Sequence, residues 1–343
     1  MPELGIDALF VTRAPNVGYL TGFSGSNGQL LFSAERSTFF TDGRYTEQAR
    51  RELPDLERRT YSADLHAAFA EACRGLRLER VGFESAGVSF RTYERLQQVE
   101  GVDLVPVEDE IERLRWIKDE EEIALLERAQ AFTDEAFDDV LRKLGEGITE
   151  REVSLELEWS MRQAGADGIS FDPVVAFGEN AAEPHHRGTD RQLHRGDIVL
   201  FDFGALVAGY HADMSRTVAF GEPAPTLREI HDVVRAAQRA GTGAVRGGAL
   251  CREADRRARD VIARAGYGDQ FSHSLGHGVG LELHEGPNLR APSDDVLPSG
   301  AVVTVEPGVY VPGMGGVRIE DMVVVADDGC RALPGSSRDL VVV

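Results

Sequence analysis

Lysine is nearly missing from this chain: of 37 basic residues only Lys118 and Lys143 are lysine, the rest being arginine. The basic residues are themselves outnumbered by 58 acidic ones, which leaves a formal charge of −21. Nucleic acid and anionic membrane are therefore excluded as main partners, since both would be repelled. Cysteine is scarce as well. Cys73, Cys251 and Cys330 stand far apart and outside any CxxC pattern, which excludes a disulfide framework and a zinc–thiolate centre. No stretch approaches the ~18 uninterrupted apolar residues of a membrane span. The opening MPELGIDALF has no basic segment, apolar run or cleavage site of a secretory leader, so a cytoplasmic protein is expected.

What is present suits an ordinary globular chain: 343 residues, 42% apolar and 28% charged, enough for two domains. Histidine divides the chain, because eight of nine lie between His185 and His284 and only His66 lies outside. Metal and acid–base chemistry is thus expected in the second half. In the first hundred residues, short apolar runs (Ala8 to Thr12, Gln29 to Phe32, Ser37 to Phe40) alternate with turns and amphipathic stretches, the pattern of a mixed α/β domain. From Asp119, apolar residues recur at helical spacing until Gly145. Thr149 with Glu152 predicts a capped helix ending near Gly165, and Thr226 with Glu229 predicts another. The acids Asp119 to Glu122 are expected in a solvated first helical turn, where the helix dipole favours them, rather than on a metal.

Two segments repeat. Gly196-Asp-Ile-Val-Leu-Phe-Asp202-Phe-Gly204 aligns with Gly300-Ala-Val-Val-Thr-Val-Glu306-Pro-Gly308. Each copy reads as an apolar strand ending in a carboxylate, a glycine-containing turn, and a returning strand with a second carboxylate, Asp213 or Glu320. Carboxylates set in apolar strands are costly to bury without a compensating cation, and four together repel strongly. A metal pair resolves that conflict. His273, His277 and His284 lie close by, but Gly276, Gly278 and Gly280 disfavour a helix and favour extended chain. Spacing alone leaves the choice of imidazole ligand open. The GxGxG pattern lacks the strand, helix and acidic residue of a dinucleotide loop, and His284-Glu285 is not followed by the second histidine of an HExxH zinc site.

These residues resemble the metallopeptidase family with the pita-bread fold, whose members include methionine aminopeptidase, aminopeptidase P, prolidase and the metal-free creatinase. YLTGFSGSNG and FTDGRYTEQA are similar to the N-terminal domain of bacterial Xaa-Pro peptidases. GENAAEPHH, LFDFGALVAGYHADMSRT, SHSLGHGVGLELHEGP, TVEPGVYVPG and GGVRIEDMV are similar to the catalytic domain. The resemblance implies an α/β (α+β) chain: a creatinase-like mixed α/β domain over 1–113, then a pita-bread domain over 114–343 with a curved antiparallel sheet covered by helices. It makes Asp202 a ligand of one divalent metal ion, Asp213 and Glu320 bridging carboxylates, and His277 and Glu306 ligands of a second ion. Manganese is expected, with zinc, cobalt and iron as alternatives.

The same resemblance places His185, His273 and His284 against the substrate. His186 is either a participant or a bystander. Glu306 would take the proton of an activated water and pass it to the leaving nitrogen, while His185 or His284 would stabilise the oxyanion. Arg318 would hold ligands or substrate and Tyr310 would support the site. The implied substrate is a peptide with proline in second position, cut by an aminopeptidase P or, alternatively, by an Xaa-Pro dipeptidase (prolidase), for which Arg44 is a candidate carboxylate clamp. More remote alternatives are a creatinase-like small-molecule hydrolase and a metal-stabilised binding protein. Similarity to small bacterial enzymes favours the aminopeptidase, and the family implies a homodimer.

Overall fold

Several short apolar runs become strands covered on both faces, and more polar strands flank them at the sheet edges. In the first part of the chain these are β1 (Ala8–Val11), β2 (Gln29–Ser33), β3 (Thr38–Asp42), β4 (Glu57–Tyr61), β5 (Arg80–Glu84) and β6 (Asp103–Val107). They form one mixed sheet in the order β4-β3-β2-β1-β5-β6. β1 shows why an unbroken apolar run fits here: Leu9 and Val11 enter a core with Leu30 and Phe39 on one face. Ala8 and Phe10 enter another with Leu31, Phe40 and Phe69 on the opposite face. In this computed structural model residues 3–62 and 64–343 are described. The chain divides into two compact units, Met1–Arg115 and Trp116–Val343.

The second unit is built around two helix pairs. Helix Glu120–Leu141 starts at a complete capping box of Asp119 and Glu122, and helix Glu150–Ala164 at one of Thr149 and Glu152, ending at Gly165 with φ 112°. The cap expected at Thr226 does not form. Helix Pro225–Thr242 begins two residues earlier than that cap would set it, with Ala224 at the N-cap position and no side-chain cap. Proline at the first helical position has its φ preset and lacks the N–H that a cap would satisfy, so Thr226 falls inside the first turn. Helix Cys251–Arg264 completes the second pair. Among the described residues, no helix is long and apolar enough to cross a membrane.

The strands of this unit are β7 (Gly168–Ile169), β8 (Val174–Phe177), β9 (Ile198–Phe203), β10 (Ala205–Val207), β11 (Tyr210–His211), β12 (Met214–Ala219), β13 (Gly276–Gly278), β14 (Glu285–Leu289), β15 (Val302–Val305), β16 (Gly308–Val311), β17 (Gly315–Arg318), β18 (Asp321–Ala326) and β19 (Gly329–Ala332). They pair with one another antiparallel, and Ala219 at the end of β12 bridges Val342 in parallel. The first helix pair buries Phe137, Val153 and Leu157 against Val199, Phe201 and Phe203 of β9. The second buries Val234, Ala237 and Ala258 against Val303 and Val305 of β15 and Val323 of β18. Each such large side chain contributes about 1.5–3 kcal/mol on burial. The chain thus has the mixed α/β architecture of an N-terminal creatinase-like part and a helix-covered pita-bread part, as expected.

Candidate active site

The sequence repeat folds as a repeated hairpin. β9 carries Asp202 near its end and pairs with β12, which Asp213 immediately precedes. β15 is followed directly by Glu306 and pairs with β18, which Glu320 immediately precedes. Between the acids of each copy lies a minor hairpin, β10–β11 in the first and β16–β17 in the second. The aligned glycines Gly196 and Gly300 have φ of 96° and 88°, a region open to glycine and costly for other residues. The copies join where Glu320 N donates to Ser215 O at 3.0 Å and Ser215 Oγ donates to Glu320 Oε2 at 2.8 Å.

His277 arrives on β13, and its flanking glycines have a steric cause. A Cβ on Gly276 would lie 2.0 Å from the Thr304 carbonyl oxygen, and one on Gly278 would lie 2.1 Å from that of Gly286. Only bare main chain fits between β14 and β15, so this glycine pattern serves close strand approach and not a phosphate.

Ligand atoms of Asp213, His277 and Glu320 lie within 4.8 Å of one another. His277 Nε2 is 3.6 Å from Asp213 Oδ2 and 3.5 Å from Glu306 Oε1. Asp202 lines the same cleft and accepts a 2.6 Å hydrogen bond from Arg318 Nη2. All five expected ligand residues therefore meet in one cleft, of about 700 Å³, together with His185, His273, His284 and Arg318.

The electrostatics of this cluster ask for positive charge. Burial, followed by the charges of Glu320, Asp202 and Glu306, pushes Asp213 well above the ordinary carboxylate range. Burial, with Glu306 and Asp202 adding to it, does the same to Glu320. Glu306 is pushed up to about 8, chiefly by burial. Burial holds His277 down at about 4, with His284 adding to the effect. Its Nδ1 donates to Gly278 O at 3.0 Å, so Nε2 turns a lone pair toward the carboxylates. Asp202 Oδ1 and Glu320 Oε1 are buried without a hydrogen-bond partner. Orphaned acceptors, a facing lone pair and several acids in one pocket fit oxygen-and-imidazole coordination of divalent ions.

The supporting residues are tightly bonded. Arg318, 3% exposed, donates from Nε to Ser215 Oγ at 2.7 Å and from Nη1 to Tyr310 Oη at 2.9 Å and Pro184 O at 3.2 Å. Its guanidinium is thus committed to Asp202 and the cleft wall. Tyr310 Oη also meets His273 Nε2 at 2.9 Å, and burial pushes its hydroxyl up to about 12. Burial, then Arg318, holds His273 near 4, so it is a neutral imidazole beside that hydroxyl. The His284 ring lies 4.4 Å from that of His277. His185 is exposed to the cleft, whereas its neighbour His186 is buried and bonded to Glu150 and Glu183.

Sequence reading missed Ser215, Thr304, Glu150 and the apolar cleft wall of Leu155, Phe171 and Leu283. For two of them a signal existed in strand alternation: Thr304 shares the strand face of Glu306, and Ser215 stands opposite Asp202 in register. Arg44 lies outside this unit and is held by Asp42 at 2.7 Å.

Comparison with known proteins agrees with this geometry. Residues 124–327 match Metallopeptidase family M24, and residues 1–117 match the Creatinase/Prolidase N-terminal domain. The uncharacterized peptidase YqhT of Bacillus subtilis is 43% identical over 342 residues, covering 99% of this chain and 97% of its own length. An Xaa-Pro dipeptidase from Bacillus anthracis superposes with a TM-score of 0.97 at 39% identity, covering 100% of this chain and 96% of the other. An X-Pro aminopeptidase from Thermotoga maritima MSB8 gives 0.91 at 36% identity, covering 100% and 99%. A duplicated four-acid cleft completed by one glycine-flanked histidine, within a chain matched along its length, leads to one assignment: this protein belongs to metallopeptidase family M24.

Proposed function

We propose that this protein is a dinuclear-metal Xaa-Pro dipeptidase, hydrolysing the bond between a residue and the proline that follows it. The observation that carries the reading is the convergence of Asp202, Asp213, His277, Glu306 and Glu320 in one cleft of a chain similar to the Bacillus anthracis Xaa-Pro dipeptidase at a TM-score of 0.97. The aminopeptidase P expected from sequence becomes the second reading, favoured by the Thermotoga maritima X-Pro aminopeptidase at the lower TM-score of 0.91.

Asp202 would hold one ion, Asp213 and Glu320 would bridge, and His277 with Glu306 would hold the other; oxygen-rich coordination suits manganese, with zinc, cobalt or iron as competitors. Such ions supply Lewis acidity toward the scissile carbonyl and a water of lowered pKa. Glu306 would receive the proton of the attacking water and return it to the departing proline nitrogen. His185 or His284, both on the cleft, would donate to the developing oxyanion. Arg318 fixes Asp202 through its 2.6 Å bond, and Tyr310 fixes His273. Proline offers no N–H and a rigid ring, so recognition falls to shape, which the apolar wall of Leu155, Phe171 and Leu283 supplies.

A paired assay tests the substrate. The manganese-loaded protein is expected to cleave Ala-Pro and to leave Ala-Pro-Ala-Ala nearly untouched; efficient cleavage of the tetrapeptide would restore the aminopeptidase reading. We further propose a cytoplasmic homodimer. A monomer mass by light scattering would remove the dimer, and recovery of the protein outside the cytoplasmic fraction would remove the location.

A further inference from the structure

Glu150 is the first residue of helix Glu150–Ala164 and is wholly buried, a costly place for a carboxylate. It survives there because donors surround it. Oε1 accepts from Phe177 N at 2.8 Å and Asn180 Nδ2 at 2.9 Å. Oε2 accepts from His186 Nε2 at 2.9 Å, Thr189 N at 2.9 Å and Thr189 Oγ1 at 2.6 Å. These donors belong to one segment, the end of β8, the 3-10 helix Gly178–Ala182 and the loop that follows it to Thr189. The other ring nitrogen of His186 faces Glu183 Oε2 at 3.1 Å, so both nitrogens act as donors toward carboxylates.

This segment carries His185 between two fixed neighbours. On one side the Pro184 carbonyl accepts from Arg318 Nη1 at 3.2 Å. On the other the His186 ring is bound to Glu150. His186 also borders the cleft, but both its ring nitrogens are engaged by Glu150 and Glu183, so the backbone there is held while the exposed His185 lines the cleft with Asp202 and Glu306.

We propose that the buried Glu150–His186 pair is a positioning device that aims His185 at the reacting carbonyl, both ring nitrogens of His186 being spent on carboxylates. The inference rests on the role given to His185 above. It differs from a merely structural role in one respect: its catalytic effect exists only while His185 is present.

The test uses the full-length manganese-loaded protein with Ala-Pro as substrate, comparing wild type, His186→Ala, His186→Gln, His185→Ala and the His185→Ala/His186→Ala double variant. An imidazole displaced by about 1 Å costs on the order of 10² in turnover. His186→Ala is expected to lower kcat by about that factor with little change in KM or in manganese affinity. His186→Gln, whose amide nitrogen still reaches Glu150, is expected to recover most of the loss. In the His185→Ala background, His186→Ala should change kcat by less than about two-fold. Equal losses in both backgrounds, or loss of manganese affinity in His186→Ala alone, would overturn the proposal. If His186→Ala fails to fold, Thr189→Val, which removes a single hydroxyl donor, takes its place with the same two backgrounds. Absence of Ala-Pro cleavage by wild type would count against the substrate reading. The positioning claim would then be decided by the crystal structure of His186→Ala, where an unmoved His185 ring refutes it and a displaced one supports it.

Discussion

The two hairpin copies place acids at matching positions, but the first uses aspartates and the second glutamates, and their surroundings diverge. Asp202 is gripped by a buried arginine at 2.6 Å. Glu306 has only a distant hydroxyl, Thr304 Oγ1 at 3.4 Å, and rises to about 8. Four residues beyond each acid the first copy has Leu206, while the second has Tyr310, bonded to Arg318 and His273. One scaffold thus presents its first strand-end acid to a buried arginine and its second to a hydroxyl.

Substitutions at the matching acids break this comparison most severely. Glu306→Gln is expected to lower turnover by about 10³ while the ion assigned to Asp202 is still taken up, since general acid–base groups contribute factors of this order. Asp202→Asn should instead lose bound metal, measured by elemental analysis after gel filtration. Matching phenotypes for the two would mean that the halves are functionally equivalent.

Next come the glycines that follow the acids. A Cβ on Gly204 would lie 1.8 Å from the Ala212 carbonyl oxygen, whereas one on Gly308 meets the Tyr310 hydroxyl at 2.4 Å. Main chain yields less readily than a side-chain end, so Gly204→Ala should cost about 3 kcal/mol in urea unfolding and Gly308→Ala about half that. Equal losses would show that Tyr310 is as immobile as backbone.

Tyr310→Phe, which has no counterpart in the first copy, should reduce kcat about ten-fold with metal content unchanged. A variant indistinguishable from wild type would reduce Tyr310 to packing.

The smallest effects lie at the glycines opening each copy. Gly196→Ala incurs only the cost of positive φ, roughly 1 kcal/mol. Gly300→Ala adds a 3.0 Å contact with Ile117 Cγ2 and should be the more destabilising of the two by thermal melting.

The duplication was legible because carboxylates inside apolar strands have few energetic justifications, and because its glycines and acids kept one spacing. The caps at Asp119 and Thr149 were legible because both halves of each box are local in sequence. The cap at Thr226 was misread for the same local reason: the motif was there, but Pro225 moved the helix start. Glu150 escaped notice because its partners lie 27 to 39 residues away, in a segment of no regular pattern. The glycines around His277 pointed correctly to extended chain, yet the backbone carbonyls that require them, at Thr304 and Gly286, come from strands whose pairing no local pattern encodes. Choice among three histidines likewise needed the resemblance, since spacing does not say which strand runs past the acids.

Because half of the acids come from residues 202–213 and the rest, with the histidine, from 277–320, neither stretch holds the whole set. Ser215 and Glu320 then join the copies by two hydrogen bonds. A nascent chain that has released only the earlier hairpin owns two of the four acids and lacks His277, Glu306 and Glu320. Hydrolytic power therefore arrives late in synthesis, when the second hairpin docks on the first. A chain cut short before residue 277 carries an incomplete ligand set, however well its first hairpin folds.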